Sequence, residues 1–302
     1  MSDINKNKII FKLLPVSLHK YIILLRLDRP IGFMLLFYPL AFSMAYSTTF
    51  NLFFLYYIFI FFIGSVTMRS AGCVINDLID RKIDIKVSRT KDRPIASGSI
   101  KLKESFIILF LLLLLGLLIL FSLNKNSIIL GFIIFPLVIL YPLAKKYFFM
   151  PQLILGLIYN WGVFIGWSTM GLKIEFNEVV ILYFSCVSWT LIYDTVYATQ
   201  DIEDDKYLDL NSSAILFGSY KKPILAFLIF IQFFLLNLLG SYLNLGVYYS
   251  LLISIVGIII VLDLLFMWDF SKTKSLDFFK RNNLYGLIIL IIILISKNFL
   301  HV

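Results

Sequence analysis

The chain has 302 residues, 60% of them hydrophobic, and a formal net charge of +9 from 27 Lys and Arg against 18 Asp and Glu. Two cysteines (Cys73 and Cys186) lie inside apolar runs, and two histidines (His19 and His301) lie near opposite ends. These exclude a disulfide framework, a thiolate metal site and imidazole ligation of zinc or haem. Apolar stretches long enough to cross a bilayer recur along the whole length. The expectation is therefore an all-α, polytopic membrane protein formed as one domain over residues 1–302.

The N-terminus is polar and basic and has no small-residue cleavage site, so no cleaved signal peptide is expected and the first span serves for insertion. Nine spans are predicted, at roughly 22–47, 53–76, 105–123, 127–144, 152–170, 179–199, 222–241, 246–268 and 282–300. The first opens with Arg26-Leu27-Asp28-Arg29-Pro30, where a proline is tolerable near a helix start. Lysine and arginine then fall almost entirely on one side: before span 1 and in the loops after spans 2, 4, 6 and 8. The opposite side keeps Lys125, Lys173 and Lys297. Positive charge marks the cytoplasmic face, which puts the N-terminus inside and the C-terminus outside. A basic excess spent on topology argues against nucleic acid as a partner. The lipid bilayer is the partner implied, and no obligate protein partner is evident.

Two acid-rich clusters break the apolar pattern. Asn76, Asp77, Asp80 and Asp84 close span 2, and Asp194, Tyr197, Asp201, Asp204 and Asp205 close span 6. Both fall on the cytoplasmic face, a weak parallel repeat. Ionisable residues at the edge of a bilayer are costly and tend to mark a site. On a continuing helix Asn76, Asp80 and Asp84 share one face, drifting by about 40° per step, and Asp201 and Asp205 are likewise i, i+4. Carboxylates stacked this way repel unless a cation bridges them. Oxygen ligands without histidine or thiolate suit magnesium, held by a few carboxylates plus phosphate oxygens and water. The expectation is two clusters facing one cavity that holds a diphosphate. The alternative is a pair of solvated acidic helix ends neutralised by nearby lysines.

Basic residues on the same face would complete such a site. Arg69, seven residues before Asn76, falls on the same helical side about 10 Å deeper, where a lone arginine needs an anionic partner. Arg89 and Arg93 follow the first cluster and are candidates to fold over phosphates, and Arg29 sits at the start of span 1. Lys145 and Lys146 close span 4 and could bind an acidic group of a second substrate or simply anchor the interface. Aromatic residues are 17% of the chain; most face lipid, and a minority lining a cavity would steady a carbocation.

These residues resemble the UbiA-type membrane prenyltransferases. The resemblance rests on Asn76-Asp77, Asp80 and Asp84, then Arg93-Pro94, then Tyr193-Asp194, Tyr197-Ala198, Asp201 and Asp204-Asp205. Supporting pieces are Arg29-Pro30-Ile31-Gly32, Arg69, Tyr141-Pro142 with Lys145-Lys146, Pro151-Gln152, and the run from Ser213 to Gly218. They spread from about residue 25 to about residue 290. The stretch around Tyr193 to Ala198 and the Ser213–Gly218 run are most similar to the branch that prenylates 4-hydroxybenzoate in ubiquinone biosynthesis.

The resemblance implies nine helices around a central cavity open to the cytoplasmic side, with a lateral gap for a lipid tail. The substrates it implies are a polyprenyl diphosphate and 4-hydroxybenzoate. Carried over by residue, Asn76, Asp80, Asp201 and Asp205 hold magnesium and diphosphate, with Asp77, Asp84 and Asp204 in support. Arg69 meets the diphosphate, and Asp194 and Lys146 orient the aromatic acid. The family commonly has Lys-Arg where this chain has Lys145-Lys146; an ammonium cannot clamp a carboxylate with two bonds as a guanidinium does, which makes Arg29 a rival for that role. The setting implied is a bacterial inner membrane with the site facing the cytoplasm. Two alternatives stay open: a related enzyme with a haem, chlorophyll, menaquinone or glycerol-phosphate acceptor, and an ion- or proton-coupled transporter. Transporter acids usually lie near the midplane on broken helices, whereas these lie at one face beside a long loop.

Overall fold

The computed structural model of the chain describes residues 9–86, 90–141, 144–171, 176–207, 209–267 and 269–299. The regular elements among them are all helical. In chain order they are α1 (Ile9–Leu13), α2 (Val16–Leu24), α3 (Ile31–Ser47), α4 (Leu52–Ile79), α5 (Arg81–Asp84), α6 (Leu102–Phe121), α7 (Lys125–Leu140) and α8 (Ala144–Tyr147). Then come α9 (Pro151–Tyr159), α10 (Gly162–Thr169), α11 (Phe176–Ala198), α12 (Ile202–Tyr207), α13 (Ser213–Phe217), α14 (Lys221–Tyr242), α15 (Gly246–Phe266) and α16 (Lys272–Phe299). In hydrocarbon every backbone N–H and C=O needs a partner within the protein, and a helix supplies it from its own segment. Among the described residues six helical segments are long and apolar enough to cross a membrane: Leu52–Ile79, Leu102–Phe121, Asn177–Tyr207, Ser213–Tyr242, Gly246–Phe266 and Lys272–Phe299. The helices α3 and α7 are apolar but shorter. The protein is therefore an all-α integral membrane protein.

Two of the expected spans are interrupted. The first, 22–47, breaks between Leu24 and Ile31. Pro30 disfavours helical geometry at Arg29, and Arg26 takes a left-handed backbone conformation with φ 56°. The fifth, 152–170, breaks at Asn160 and Trp161. There the Asn160 side-chain amide donates to Gly156 O (2.8 Å) and to Thr190 Oγ1 (2.7 Å), closing the end of α9 onto α11.

The chain divides into two compact units, residues 1–34 with 59–122 and residues 35–58 with 123–302. In the first, Leu24, Val74, Ile95 and Ile100 form a buried apolar cluster. It joins α2, α4 and the segment after α5. Ser70 Oγ donates to Leu25 O (3.0 Å), fixing α4 to the interrupted stretch. The helix α6 buries only 11% of its apolar window, so its side chains are suited to lipid. In the second unit α11 is the central element. The segment Asn177–Tyr207 has 72% of its window buried, and α11 packs against α9, α10, α14 and α16, with α14 on α15 and α15 on α16. Its polar groups find partners across helices: Trp189 Nε1 donates to Asn282 Oδ1 (2.8 Å), and Ser185 Oγ donates to Gln232 O (3.1 Å). Such bonds hold apolar helices together where water provides no drive for association.

Candidate active site

The first acid cluster sits where α4 gives way to α5. Helical hydrogen bonding continues through the junction, from Asp80 N to Asn76 O (2.8 Å) and from Asp84 N to Asp80 O (2.8 Å). Asp80 itself leaves helical geometry, with φ −82° and ψ 0°. Asp84 joins Asp77, seven residues back and two turns away, on the guanidinium of Arg93. Arg93 Nη1 donates to Asp77 Oδ1 (3.2 Å) and Asp84 Oδ2 (3.0 Å). Arg26 Nη2 donates to the same Asp77 carboxylate, at 3.0 and 3.3 Å. Both Asp77 and Asp84 are buried, whereas Asn76 and Asp80 are half-buried.

Arg93 reaches these carboxylates because the segment after α5 doubles back. Thr90 Oγ1 donates to Asp84 O (3.1 Å), Ile100 N donates to Pro94 O (3.0 Å), and Ile95 and Ile100 are buried. Arg29 donates from Nε to Asp28 Oδ2 (3.3 Å). Arg69 is half-buried in α4 beside Gly32 of α3. A Cβ at residue 32 would lie 2.9 Å from Arg69 Nε, so the arginine occupies the room that glycine leaves.

The second cluster follows α11 through a one-turn 3-10 helix, Thr199–Asp201, into α12. Asp194, Tyr197 and Asp201 are half-buried, Asp205 is buried and Asp204 is exposed. Tyr197 lies against Phe279 (ring centroids 4.6 Å), and Tyr193 meets the same ring at 5.8 Å. Hydroxyl groups set the path of this stretch. Thr195 Oγ1 pairs with Ser213 Oγ (2.6 Å), Ser213 N donates to Gln152 Oε1 (2.7 Å), and Thr199 Oγ1 pairs with Ser275 Oγ (2.8 Å). Gln152 and Ser213 carry the family resemblance in sequence; the structure adds what they do, which is to hold the helix bearing Asp194. Thr199, Ser275 and Arg26 are not singled out from sequence. Their signals, isolated hydroxyls in apolar runs and one more arginine near a membrane edge, are too common to stand out.

Lys145 and Lys146 belong to α8, and the roles expected of their side chains lie outside what the structure describes, as do Arg89, Lys173 and Pro142. Among the described residues no three His, Cys, Asp or Glu side chains stand together as a preformed metal cage. Magnesium is the ion that needs none, being held by one or two carboxylates plus substrate phosphates and water. The oxygen-only donors of the two clusters fit that chemistry.

Residues 34–284 match the UbiA prenyltransferase family. The chain is 39% identical over 286 residues to a mitochondrial 4-hydroxybenzoate polyprenyltransferase of Dictyostelium discoideum, covering 94% of this chain and 62% of that protein. It is 45% identical over 213 residues to the human protein of the same name, covering 70% of this chain and 57% of that one. The chain thus spans about three fifths of the length of these mitochondrial relatives. A 4-hydroxybenzoate octaprenyltransferase of Francisella tularensis is 36% identical over 280 residues, covering 93% of this chain and 98% of that protein. Among solved structures, a UbiA homologue from Archaeoglobus fulgidus bound to GPP and Mg2+ superposes with a TM-score of 0.68 at 19% identity, covering 91% of this chain and 99% of that one. The helical architecture is therefore the fold of that homologue, and the match over residues 34–284 together with the Francisella relative makes the chain a member of the UbiA prenyltransferase family.

Proposed function

We propose that the protein transfers a polyprenyl group from polyprenyl diphosphate to the ring carbon ortho to the hydroxyl of 4-hydroxybenzoate, a step of ubiquinone biosynthesis. The observation that carries this reading is the Francisella 4-hydroxybenzoate octaprenyltransferase, matched over 98% of its length. The whole chain, residues 1–302, acts as one catalytic domain. It crosses a bacterial inner membrane nine times: by the six long segments, by α3 and α7, and by the interrupted pair α9–α10. The site opens to the cytoplasmic side, where the positive-inside pattern puts both clusters.

In this reading Asn76 and Asp80, and Asp201 and Asp205, hold magnesium and diphosphate, with Asp77, Asp84 and Asp204 in support. Magnesium, when bound, neutralises the diphosphate and so makes it a leaving group. Arg69 adds a guanidinium to the same anion, joined by Arg29. Breaking the allylic C–O bond leaves a cation that aromatic faces stabilise and a dry cavity protects from hydrolysis. The rings of Tyr193 and Tyr197, which flank Asp194 in sequence and both pack on Phe279, support that role. Asp194 holds the phenol side of the acceptor, and Lys145 and Lys146 attract its carboxylate. The ring carbon attacks, and a carboxylate or the released diphosphate takes the proton.

The test is transfer of a radiolabelled prenyl group from its diphosphate to 4-hydroxybenzoate by purified protein, with a panel of acceptors and chain lengths. Product is expected with Mg2+ and none with EDTA. Transfer to a different acceptor class in preference to 4-hydroxybenzoate would replace this assignment. Asp194→Asn is expected to lower turnover by about 10²–10⁴-fold, the usual contribution of a positioned acid–base group. Unchanged turnover removes Asp194 from the mechanism.

A further inference from the structure

The quartet of Arg26, Asp77, Arg93 and Asp84 has the form of a closed latch. Two guanidiniums face two carboxylates, and the ion pairs run in sequence: Arg26 to Asp77 (3.0 Å), Asp77 to Arg93 (3.2 Å), Arg93 to Asp84 (3.0 Å). All four side chains are largely withdrawn from solvent, with the aspartates 2% and 7% exposed and the arginines 13% and 16%. The formal charges cancel, so the quartet has no net attraction for a divalent cation. A metal ion placed on Asp77 would have to displace a guanidinium from a buried carboxylate, leaving it uncompensated. Asn76 and Asp80 fall on a neighbouring face of the same helix end.

Arg26 is the unexpected member. It holds its backbone at φ 56°, a region uncommon for any residue but glycine, and such strain persists where surrounding structure over-determines it. The surroundings are visible here. Arg26 Nη1 donates to Ile23 O (3.2 Å) while Nη2 grips Asp77, and Ser70 bonds the carbonyl of Leu25 next door. The left-handed turn ends α2 and aims the guanidinium back at α4.

We propose that Arg26 is a positioning residue, and that the Arg26–Asp77–Arg93–Asp84 latch fixes the end of α4 so that metal binding by the first acid cluster falls to Asn76 and Asp80. The inference rests on the magnesium-diphosphate reading above, and it divides the acidic motif into two working parts: one face for the ion, one for the arginines that hold the helix end and the returning segment in place.

The experiment measures Mn2+ binding to the purified full chain, with a non-reactive prenyl diphosphate analogue present, by electron paramagnetic resonance, alongside prenyl transfer. Asp80→Asn is expected to weaken Mn2+ by about tenfold or more, as loss of a ligand does. Asp77→Asn and Asp84→Asn are expected to leave Mn2+ affinity within about twofold while kcat/KM falls by about 100-fold, the effect of misplacing a catalytic constellation. Arg26→Gly removes the guanidinium while glycine accepts the backbone conformation without strain, and is expected to match Asp77→Asn. Arg26→Lys keeps the charge without the fork and is expected to recover part of the loss. The double variant Arg26→Gly/Asp77→Asn is expected to be no worse than either single, because the two act as one unit; it also carries the test if Asp77→Asn alone fails to fold. Mn2+ binding weakened by Asp77→Asn as much as by Asp80→Asn, or full activity in Arg26→Gly, overturns the proposal. Absence of Mn2+ binding in the unaltered protein overturns the metal reading itself, and the latch inference with it.

Discussion

Replacing Asp80 or Asp201 by asparagine is expected to lower kcat/KM for the prenyl diphosphate on the order of a thousandfold, with the fold retained. The size follows from the work the residues are assigned. Developing negative charge on a departing diphosphate is stabilised by groups already in place, and removing one such group commonly costs about 10²–10³-fold. Asparagine keeps the shape and one oxygen but lacks the charge that holds a hard dication. The fold should tolerate the change because both residues are half-buried at helix ends, and Asp80 sits near the Asp77 carboxylate, whose repulsion the substitution relieves. Kinetics across a Mg2+ series, with helix content by circular dichroism as the control, gives the answer. Activity within about tenfold of the unaltered protein, with folding intact, would take these residues out of the metal role.

Gly32→Ala is the second large effect, expected in activity with little change in stability. The added methyl would stand 2.9 Å from Arg69 Nε and 3.5 Å from its Nη2. An arginine side chain can move aside by a few tenths of an ångström, so the helix packing survives. The guanidinium, however, is the group assigned to meet diphosphate, and a displacement of about 1 Å at a catalytic group can cost about 100-fold. Thermal stability within about 0.5 kcal/mol, the usual range for a substitution that leaves packing intact, together with loss of turnover, is the expected pair of readings. An alanine variant with full turnover would show that Arg69 has no exacting placement to lose.

The sequence makes the apolar segments and their order legible because a run of some 20 hydrophobic residues has few uses other than crossing a bilayer. It does not show where those runs break. Between α9 and α10 the apolar composition continues through Trp161, and only Asn160, one polar residue in a run, marks the interruption. Its consequence depends on Thr190, thirty positions away, which hydropathy cannot connect to it. The acid clusters were visible as charge in the wrong medium. The pairing of Asp77 and Asp84 with Arg93 was not, since it depends on a segment that folds back on the helix end from beyond α5. Arg26 was invisible as a site residue for the same reason: its role comes from a backbone conformation that side-chain identity does not favour.

The contrast between α6 and α11 sets how freely each can drift. With 11% of its window covered by protein against 72% for the segment holding α11, α6 presents a greasy wall on which leucine, isoleucine and phenylalanine are interchangeable, since acyl chains conform to any of them. The central helix has no such latitude: there each side chain is bounded by fixed neighbours. Neutral variation in this protein should therefore accumulate along α6, while changes of even a single carbon in α11 come under selection.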